Sequence, residues 1–97
     1  MRLDKFLKVS RLIKRRTLAK EVSDEGRVKI NGYTAKAGTV LNVGDVAKIR
    51  FGNKIMTVEV LMLESHARKE EAGRMYRVIS EERTEKEEKE EGINEFL

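Results

Sequence analysis

The chain has 97 residues, of which 21 are Lys or Arg and 17 are Asp or Glu, and its formal net charge is +4. This length allows one domain with a small core, and the absence of cysteine excludes disulfides and thiolate chemistry. No stretch approaches the ~20 apolar residues of a membrane span and no signal-peptide pattern is present, so we expect a cytoplasmic protein that does not bind membranes.

The charge is distributed unevenly along the chain. Residues 1–60 hold 14 basic and 6 acidic residues, whereas residues 61–97 hold 7 basic and 11 acidic ones. The two segments therefore carry balances of +8 and −4. A polyanion attracted to one end would be repelled by the other, so we expect a binding surface near the N-terminus.

The first 20 residues predict a helix with one apolar side and one cationic side. Leu3, Phe6 and Leu7 recur at helical spacing, and the helix should run from about Arg2 to Lys8 or a little beyond. The basic residues in and after this stripe are Arg2, Lys5, Lys8, Arg11, Lys14, Arg15 and Arg16. So dense a cationic face suits regularly spaced phosphates, although a basic run is more often only a solvated helix face.

A second helix is predicted after this segment. Thr17 is the expected N-cap, and Leu18, Ala19 and Val22 are expected to face the core. Gly26 stands where a glycine in the left-handed conformation commonly ends a helix.

Alternation with a period of two begins after Gly26 and indicates strands. Val28 and Ile30 alternate with basic residues, and the following Asn31-Gly32 is a strong hairpin signal because both residues tolerate positive φ. Further short strands are predicted at residues 39–41, 46–51, 55–63 and 75–79, with turns at 43–46 and 52–53. The expected fold is α+β, with two short N-terminal helices packed on a small antiparallel twisted sheet.

Composition divides the chain near residue 80. Residues 1–80 carry the periodic elements and form the expected domain, whereas residues 81–97 form a charged tail rich in glutamate. Such a tail buries too little apolar surface to offset its ordering entropy, so it should be disordered or a solvated helix. Its last apolar residues, Ile93, Phe96 and Leu97, would offer a docking tip to a protein partner, although exposed apolar residues near a chain terminus are ordinary.

No constellation of catalytic residues is visible in the sequence. His66 is the single histidine, and neither a nucleophile nor a metal-ligand cluster accompanies it. Four glycines recur every six residues, as turns between short strands do, and they form no phosphate-binding loop. We therefore expect a protein without catalytic activity, cofactor or bound metal.

Several ordered motifs together resemble a known family. They are Arg2-Leu3-Asp4-Lys5-Phe6-Leu7, Ser10-Arg11, Arg15-Arg16, Ala19, the run from Gly26 to Gly32, Lys36 and the run from Val43 to Val46. In this order over residues 1–51 they resemble the RNA-binding domain of small-subunit ribosomal protein S-four, also called the alpha-L motif. Within that superfamily, a stand-alone chain of this length with a charged tail looks most like the RqcP group, which is related to the heat-shock protein fifteen family.

The resemblance implies which residues meet RNA. When the family's motifs are matched to this sequence position by position, the implied RNA-binding residues are Arg2, Lys5, Lys8, Arg11, Lys14, Arg15, Arg16, Lys29 and Lys36. Asp4 would order neighbouring basic side chains or the start of the first helix. The apolar positions of the same motifs would form the core, namely Leu3, Phe6, Leu7, Val28, Ile30, Val43 and Val46.

The resemblance also implies partners. The protein would bind obstructed large ribosomal subunits through their rRNA and through tRNA or peptidyl-tRNA. It would support an RqcH-type factor during template-free tailing of the stalled peptide, and it is expected to be a monomer. Four alternatives stay open: a large-subunit recycling factor of the heat-shock-protein-fifteen type, a general nucleic-acid-binding protein, an accessory subunit of an RNA-modifying enzyme, and a protein-interaction adaptor acting through the tail.

Overall fold

Within residues 1–83, which the computed structural model describes, the fold consists of three short helices and one five-stranded sheet. In chain order the elements are α1 (Leu3–Val9), α2 (Arg16–Asp24), β1 (Val28–Ile30), β2 (Tyr33–Thr34), β3 (Val46–Phe51), β4 (Lys54–Val60), α3 (Lys69–Ala72) and β5 (Tyr76–Arg83). The predicted α+β fold, with two N-terminal helices on an antiparallel sheet, is confirmed. The sequence does not predict α3, because four residues are too few for a periodic pattern.

All neighbouring strands of the sheet are antiparallel, in the order β2-β1-β3-β4-β5. The predicted hairpin turn joins β1 to β2, with φ of 52° at Asn31 and 89° at Gly32. The predicted turn at residues 52–53 joins β3 to β4, so both turns are confirmed. Asn31 also fixes the neighbouring strand, because its side-chain oxygen accepts a hydrogen bond from the N–H of Val46 at 3.0 Å.

The segment 39–41 is predicted as a strand, but it forms only one bridge, between Val40 and Arg2. The loop instead accepts hydrogen bonds from the first-turn amides of α1, and the N–H of Leu3 donates to the carbonyl of Thr39 at 2.8 Å. The loop therefore acts as a cap for α1, which explains why no side chain caps that end.

The apolar core lies between the N-terminal helices and one face of the sheet. Its buried members are Leu3, Phe6, Leu7, Ile13, Ala19, Val22, Val28, Ile30, Ala35, Leu41, Ala47, Ile49, Val58, Val60 and Met75. The core predictions for Val43 and Leu18 are wrong, since these side chains are 63% and 47% exposed. The core prediction for Val46 is also wrong, because this half-buried side chain lies on the face of β3 opposite the buried Ala47. Val43 belongs to the turn before β3, and Leu18 lies at the exposed edge of the α2 side that carries the buried Val22 four residues later.

The start of α2 is set by packing. The predicted N-cap, Thr17, is wrong: the N-cap is Arg15, whose carbonyl accepts the first helical hydrogen bond from the N–H of Ala19 at 2.9 Å. No side chain caps this end, so the burial of Ala19 and Val22 rather than a capping bond places the start of the helix.

Gly26 ends α2 in the left-handed conformation, as predicted, with φ of 82°. Its N–H donates to the carbonyl of Ser23 at 3.0 Å, and the N–H of Arg27 donates to the carbonyl of Val22 at 3.2 Å. These are the two bonds of a Schellman motif. A Cβ at this position would meet Thr34 Cγ2 at an ordinary 3.7 Å, so the cost of adding one is conformational rather than steric.

We expect Gly26→Ala to lower the free energy of unfolding by about 1 kcal/mol, because alanine disfavours positive φ. Urea titration followed by circular dichroism measures this difference. Gly73→Ala is the matched control, because Gly73 has φ of −68° and a Cβ there meets no atom within 4 Å. Equal midpoints for the two variants would contradict the expectation.

Strand β5 extends to Arg83, and Glu81 on it pairs with Lys54 on β4 at 3.1 Å. The remainder of the predicted tail, residues 84–97 with its apolar tip, lies outside the described residues. Among the helices of residues 1–83, none has the length and apolar character needed to cross a membrane.

Candidate nucleic-acid interface

A buried carboxylate links two of the predicted RNA-binding arginines. Arg2 precedes α1 and Arg16 begins α2, and both guanidinium groups reach Asp4. Arg2 Nε lies 3.2 Å from Asp4 Oδ1 and its Nη2 3.3 Å from Oδ2, while Arg16 Nε lies 3.5 Å from Oδ2. The predicted role of Asp4 in ordering basic side chains is therefore confirmed. We name these three residues the Asp4 cluster.

The Asp4 cluster fixes its arginines and still leaves them available. The Asp4 side chain is 3% exposed, against 52% for Arg2 and 50% for Arg16. A guanidinium carries five N–H donors, so each arginine retains donors after pairing with the carboxylate. One carboxylate faces two cations, and the cluster keeps a surplus positive charge that can meet phosphate oxygens.

The loop after β2 brings Lys36 to the same side. The N–H of Lys36 donates to Thr39 Oγ1 at 2.9 Å, and its Nζ donates to the carbonyl of Asp24 at 3.2 Å. Gly38 in this loop lies against the Asp4 cluster, because a Cβ there would be 3.9 Å from the guanidinium carbon of Arg2. The loop that caps α1 therefore places Lys36 on the same side of the protein as the arginines of the Asp4 cluster.

Lys20 is a cation of this side that the sequence prediction omits. It follows Arg16 by one helical turn, and its Nζ pairs with Asp24 Oδ2 at 3.1 Å. The i,i+4 spacing from Arg16 was the signal that could have found it. We define the helix-side surface as the cations of α1, α2, their connection and the capping loop: Arg2, Lys5, Lys8, Arg11, Lys14, Arg15, Arg16, Lys20 and Lys36.

Asp24 couples the end of α2 to the capping loop in a pH-dependent way. Its Oδ1 accepts a hydrogen bond from the N–H of Ala37 at 3.0 Å. That backbone bond first, and the ammonium of Lys20 second, hold the pKa of the Asp24 carboxyl below its ordinary value of 3.8. A depressed pKa means that the ionised form stabilises the fold above pH 3.8 and that this contribution is lost as the pH falls through the lower, folded-state value.

We expect Asp24→Asn to be less stable than the unchanged chain at neutral pH and to approach it as the pH falls below 3.8. Urea unfolding of both proteins over a pH series measures the difference. Glu25→Gln is a suitable control, because Glu25 pairs only with its exposed neighbour Arg27 among the described residues. A stability difference that stays constant down to acid pH would contradict the coupling.

The connection between α1 and α2 holds Arg11 in the left-handed conformation, with φ of 62°. Its N–H donates to the carbonyl of Lys8 at 3.0 Å, so it occupies the position after the C-cap Ser10, where glycine is preferred. Lys8 and Arg11 border an open groove of about 160 Å³ together with the exposed His66 and with Ala67. Neither the conformation of Arg11 nor this neighbourhood is visible in the sequence.

Lys14 and Arg15 border a second groove, of about 390 Å³, between α2, the connection before it and the end of β3. Its apolar wall includes Leu12, Leu18 and Phe51. The exposed Leu18 is thus part of an apolar strip that borders Lys14 and Arg15. Lys5, which is also predicted to bind RNA, follows Asp4 directly in the chain and is half-buried on α1.

Lys29 lies apart from the other eight predicted RNA-binding residues. On β1 its neighbours Val28 and Ile30 are buried in the core, whereas Lys29 is exposed. Successive side chains of a strand point to opposite faces, so Lys29 lies on the sheet face turned away from α1 and α2. Eight of the nine predicted RNA-binding residues therefore belong to the helix-side surface. Lys29 lies on the opposite face of the sheet.

Residues 1–46 match the family model of the S4 domain. The helices α1 and α2 and the first hairpin fall within this match, together with the Asp4 cluster and the whole helix-side surface. The match and the fold together place the chain in the S4-domain class of RNA-binding proteins.

More specific similarity extends over nearly the whole described chain. The sequence is 59% identical to the RQC P-site tRNA stabilizing factor of Streptococcus pneumoniae, over 88% of this chain and 97% of that protein. It is also 59% identical to the Bacillus subtilis protein of the same name, over 86% and 96%. The chain belongs to the family of RQC P-site tRNA stabilizing factors. The solved structure of Vibrio cholerae Heat Shock Protein 15, described as trimeric, matches with a TM-score of 0.76 and 29% identity, covering 97% of this chain and 91% of that one.

Proposed function

We propose that this chain binds obstructed large ribosomal subunits through rRNA and through tRNA or peptidyl-tRNA, and that it supports ribosome-associated quality control together with an RqcH-type tailing factor. The observation that carries the proposal is the Asp4 cluster, where a buried acid holds two half-exposed arginines on a surface rich in cations. Family membership supports the quality-control setting, since the relatives are named RQC P-site tRNA stabilizing factors.

The proposed contacts are made to the RNA backbone. Guanidinium groups grip phosphate oxygens with two parallel N–H donors, which lysine cannot do. The major groove of A-form RNA is deep and narrow, so short helices such as α1 and α2 read shape and phosphate position rather than base edges. In this proposal Arg2 and Arg16 make the central phosphate contacts, and the remaining cations of the helix-side surface make flanking ones.

We expect the tagged protein to co-sediment with large ribosomal subunits that retain peptidyl-tRNA when a cell lysate is separated on a sucrose gradient. Because phosphate contacts release counterions, the co-sedimentation should weaken as the salt concentration rises. Probing each fraction for peptidyl-tRNA and for the RqcH-type factor tests both partners. Protein that stays at the top of the gradient at low and high salt, or that follows DNA, would overturn the ribosomal proposal and leave the S4-domain fold intact.

A second candidate is a large-subunit recycling factor of the heat-shock-protein-fifteen type, favoured by the likeness to the Vibrio cholerae structure. Both functions use the same cationic surface, so binding alone does not separate them. Loss of C-terminal tailing in cells lacking this chain supports the quality-control function. Unchanged tailing with slowed release of obstructed subunits supports recycling.

The adaptor alternative, in which the tail carries the function, is tested by truncation. The deletion should begin at residue 84, since residues 81–83 belong to β5 and Glu81 pairs with Lys54. We propose that the chain lacking residues 84–97 still co-sediments with large subunits, whereas an adaptor would lose its partner. The proposal also takes the protein to be a non-catalytic, cytoplasmic monomer, and light scattering of the full chain measures its mass.

A further inference from the structure

The sheet face turned away from the helices carries a second group of cations. Lys29 on β1, Lys48 and Arg50 on β3, and Arg27 just before β1 are exposed. Together with Gly26 and Ile55 they line an open groove of about 210 Å³. We name these four basic residues the sheet-face cluster. Its members Arg27, Lys48 and Arg50 belong to no RNA-binding prediction from the sequence.

The register of the strands places these charges in close proximity. Lys29 lies directly opposite Lys48 in the β1–β3 pair, so the two side chains share one face of the sheet. Arg50 stands two residues beyond Lys48 on β3, and the N–H of Arg50 donates to the carbonyl of Arg27 at 2.9 Å. Neighbouring strands are about 4.8 Å apart and residues two apart on one strand about 6.8 Å. Four cations therefore occupy a patch about two strands wide.

Little within the protein neutralises the patch. Arg27 pairs with Glu25 at 3.1 Å, and within residues 1–83 no carboxylate forms an ion pair with Lys29, Lys48 or Arg50. Like charges directly opposite each other destabilise a pair of strands. An arrangement that is unfavourable in the free protein becomes favourable when a polyanion lies across it.

We propose that the sheet-face cluster is a second binding site for the phosphodiester backbone of RNA, separate from the helix-side surface. Charge complementarity selects the ligand class, because the groove offers two guanidinium and two ammonium groups above the apolar floor of Ile55. The sheet lies between the two cationic surfaces, so one RNA segment can contact the helical layer while another contacts the open face. This inference rests on the proposed function and extends it from one RNA-binding surface to two.

The test compares the unchanged protein with Lys48→Thr/Arg50→Thr, in which threonine keeps a high strand propensity. Binding to a short fluorescein-labelled RNA hairpin is measured by anisotropy over a salt series, and binding to purified large ribosomal subunits by pelleting. We expect affinity for the hairpin to fall about tenfold and the salt slope to drop by about one to two units, since two phosphate contacts are removed. The thermal midpoint should not fall, because the Lys29–Lys48 repulsion is relieved.

Lys69→Ala/Arg74→Ala is the matched control, because it removes one lysine and one arginine from exposed positions in and after α3. This control should bind both RNA samples as the unchanged chain does. If both double variants lose affinity for RNA equally, the loss comes from the lower net charge of the protein, and the sheet-face site is overturned. If the Thr variant binds normally while helix-side variants do not, the site is overturned and the proposed function stands. If the unchanged chain binds the hairpin through the sheet-face cluster but does not pellet with subunits, the proposed function fails and the site stands.

Discussion

The variant Arg2→Ala/Arg16→Ala should lose detectable binding to large ribosomal subunits and should also be less stable than the unchanged chain. Removing both guanidinium groups leaves the Asp4 carboxylate buried, and the N–H of Lys5, at 2.8 Å, is then its one remaining donor within residues 1–83. A buried carboxylate without a countercharge costs about 2 kcal/mol here, because the arginines themselves are half-exposed. For a domain of this size that corresponds to a fall of about 10 °C in the thermal midpoint.

Adding Asp4→Asn to this variant separates stability from binding. Asparagine keeps the volume of the side chain and removes the unpaired charge, so a large part of the lost thermal midpoint should return. Binding to the subunits should remain absent, because no guanidinium has been restored. If the triple variant regains binding, the guanidinium groups of Arg2 and Arg16 do not make the central contacts. If the double variant melts like the unchanged chain, Asp4 does not depend on these arginines for its countercharge.

Arg11→Gly should weaken RNA binding without destabilising the protein. Arg11 holds a left-handed conformation that costs an ordinary residue about 1 kcal/mol and costs glycine nothing. Glycine loses more backbone entropy on folding, so the free energy of unfolding should stay constant or rise by up to about 1 kcal/mol. The loss of one charged contact should lower affinity for the labelled hairpin about tenfold.

Two companion variants make the Arg11 experiment specific. Arg11→Lys keeps the charge and the backbone strain, so it should bind more tightly than Arg11→Gly and have the stability of the unchanged chain. Arg11→Ala keeps the strain and removes the charge, so it should lose affinity without the gain in stability. Stability that falls in Arg11→Gly would mean that the side chain supports the turn, and affinity that persists would remove Arg11 from the helix-side surface.

Features set by neighbouring residues were predictable from the sequence. Gly26 and Asn31-Gly32 adopt positive φ as predicted, because few other residues tolerate that conformation at low cost. The basic residues of α1 and the start of α2 were likewise placed correctly in the helical layer, because a helix with an apolar stripe must turn its charges outward.

Features set by tertiary contacts were not predictable. The start of α2 does not follow the capping preference of Thr17, because packing of Ala19 decides it. In the segment 39–41 the carbonyl of Thr39 accepts a hydrogen bond from the N–H of Leu3 in α1 rather than from a neighbouring strand. The left-handed arginine at position 11 has no signature in composition, since nothing about arginine favours that conformation. The separation of Lys29 from the helix-side surface became clear only once the side of the sheet that meets the helices was known.

The alternation along β3 has a consequence for folding fidelity. Ala47 and Ile49 face the core, while Lys48 and Arg50 face the opposite side. A slip of one residue in the pairing of this central strand would exchange the two sets and press two cations into the apolar interior, where each ion costs several kcal/mol. Lys48 and Arg50 therefore also disfavour pairing of β3 in the wrong register. Replacing them with threonine should make misregistered and aggregated chains more frequent during refolding, even if the native state keeps its stability.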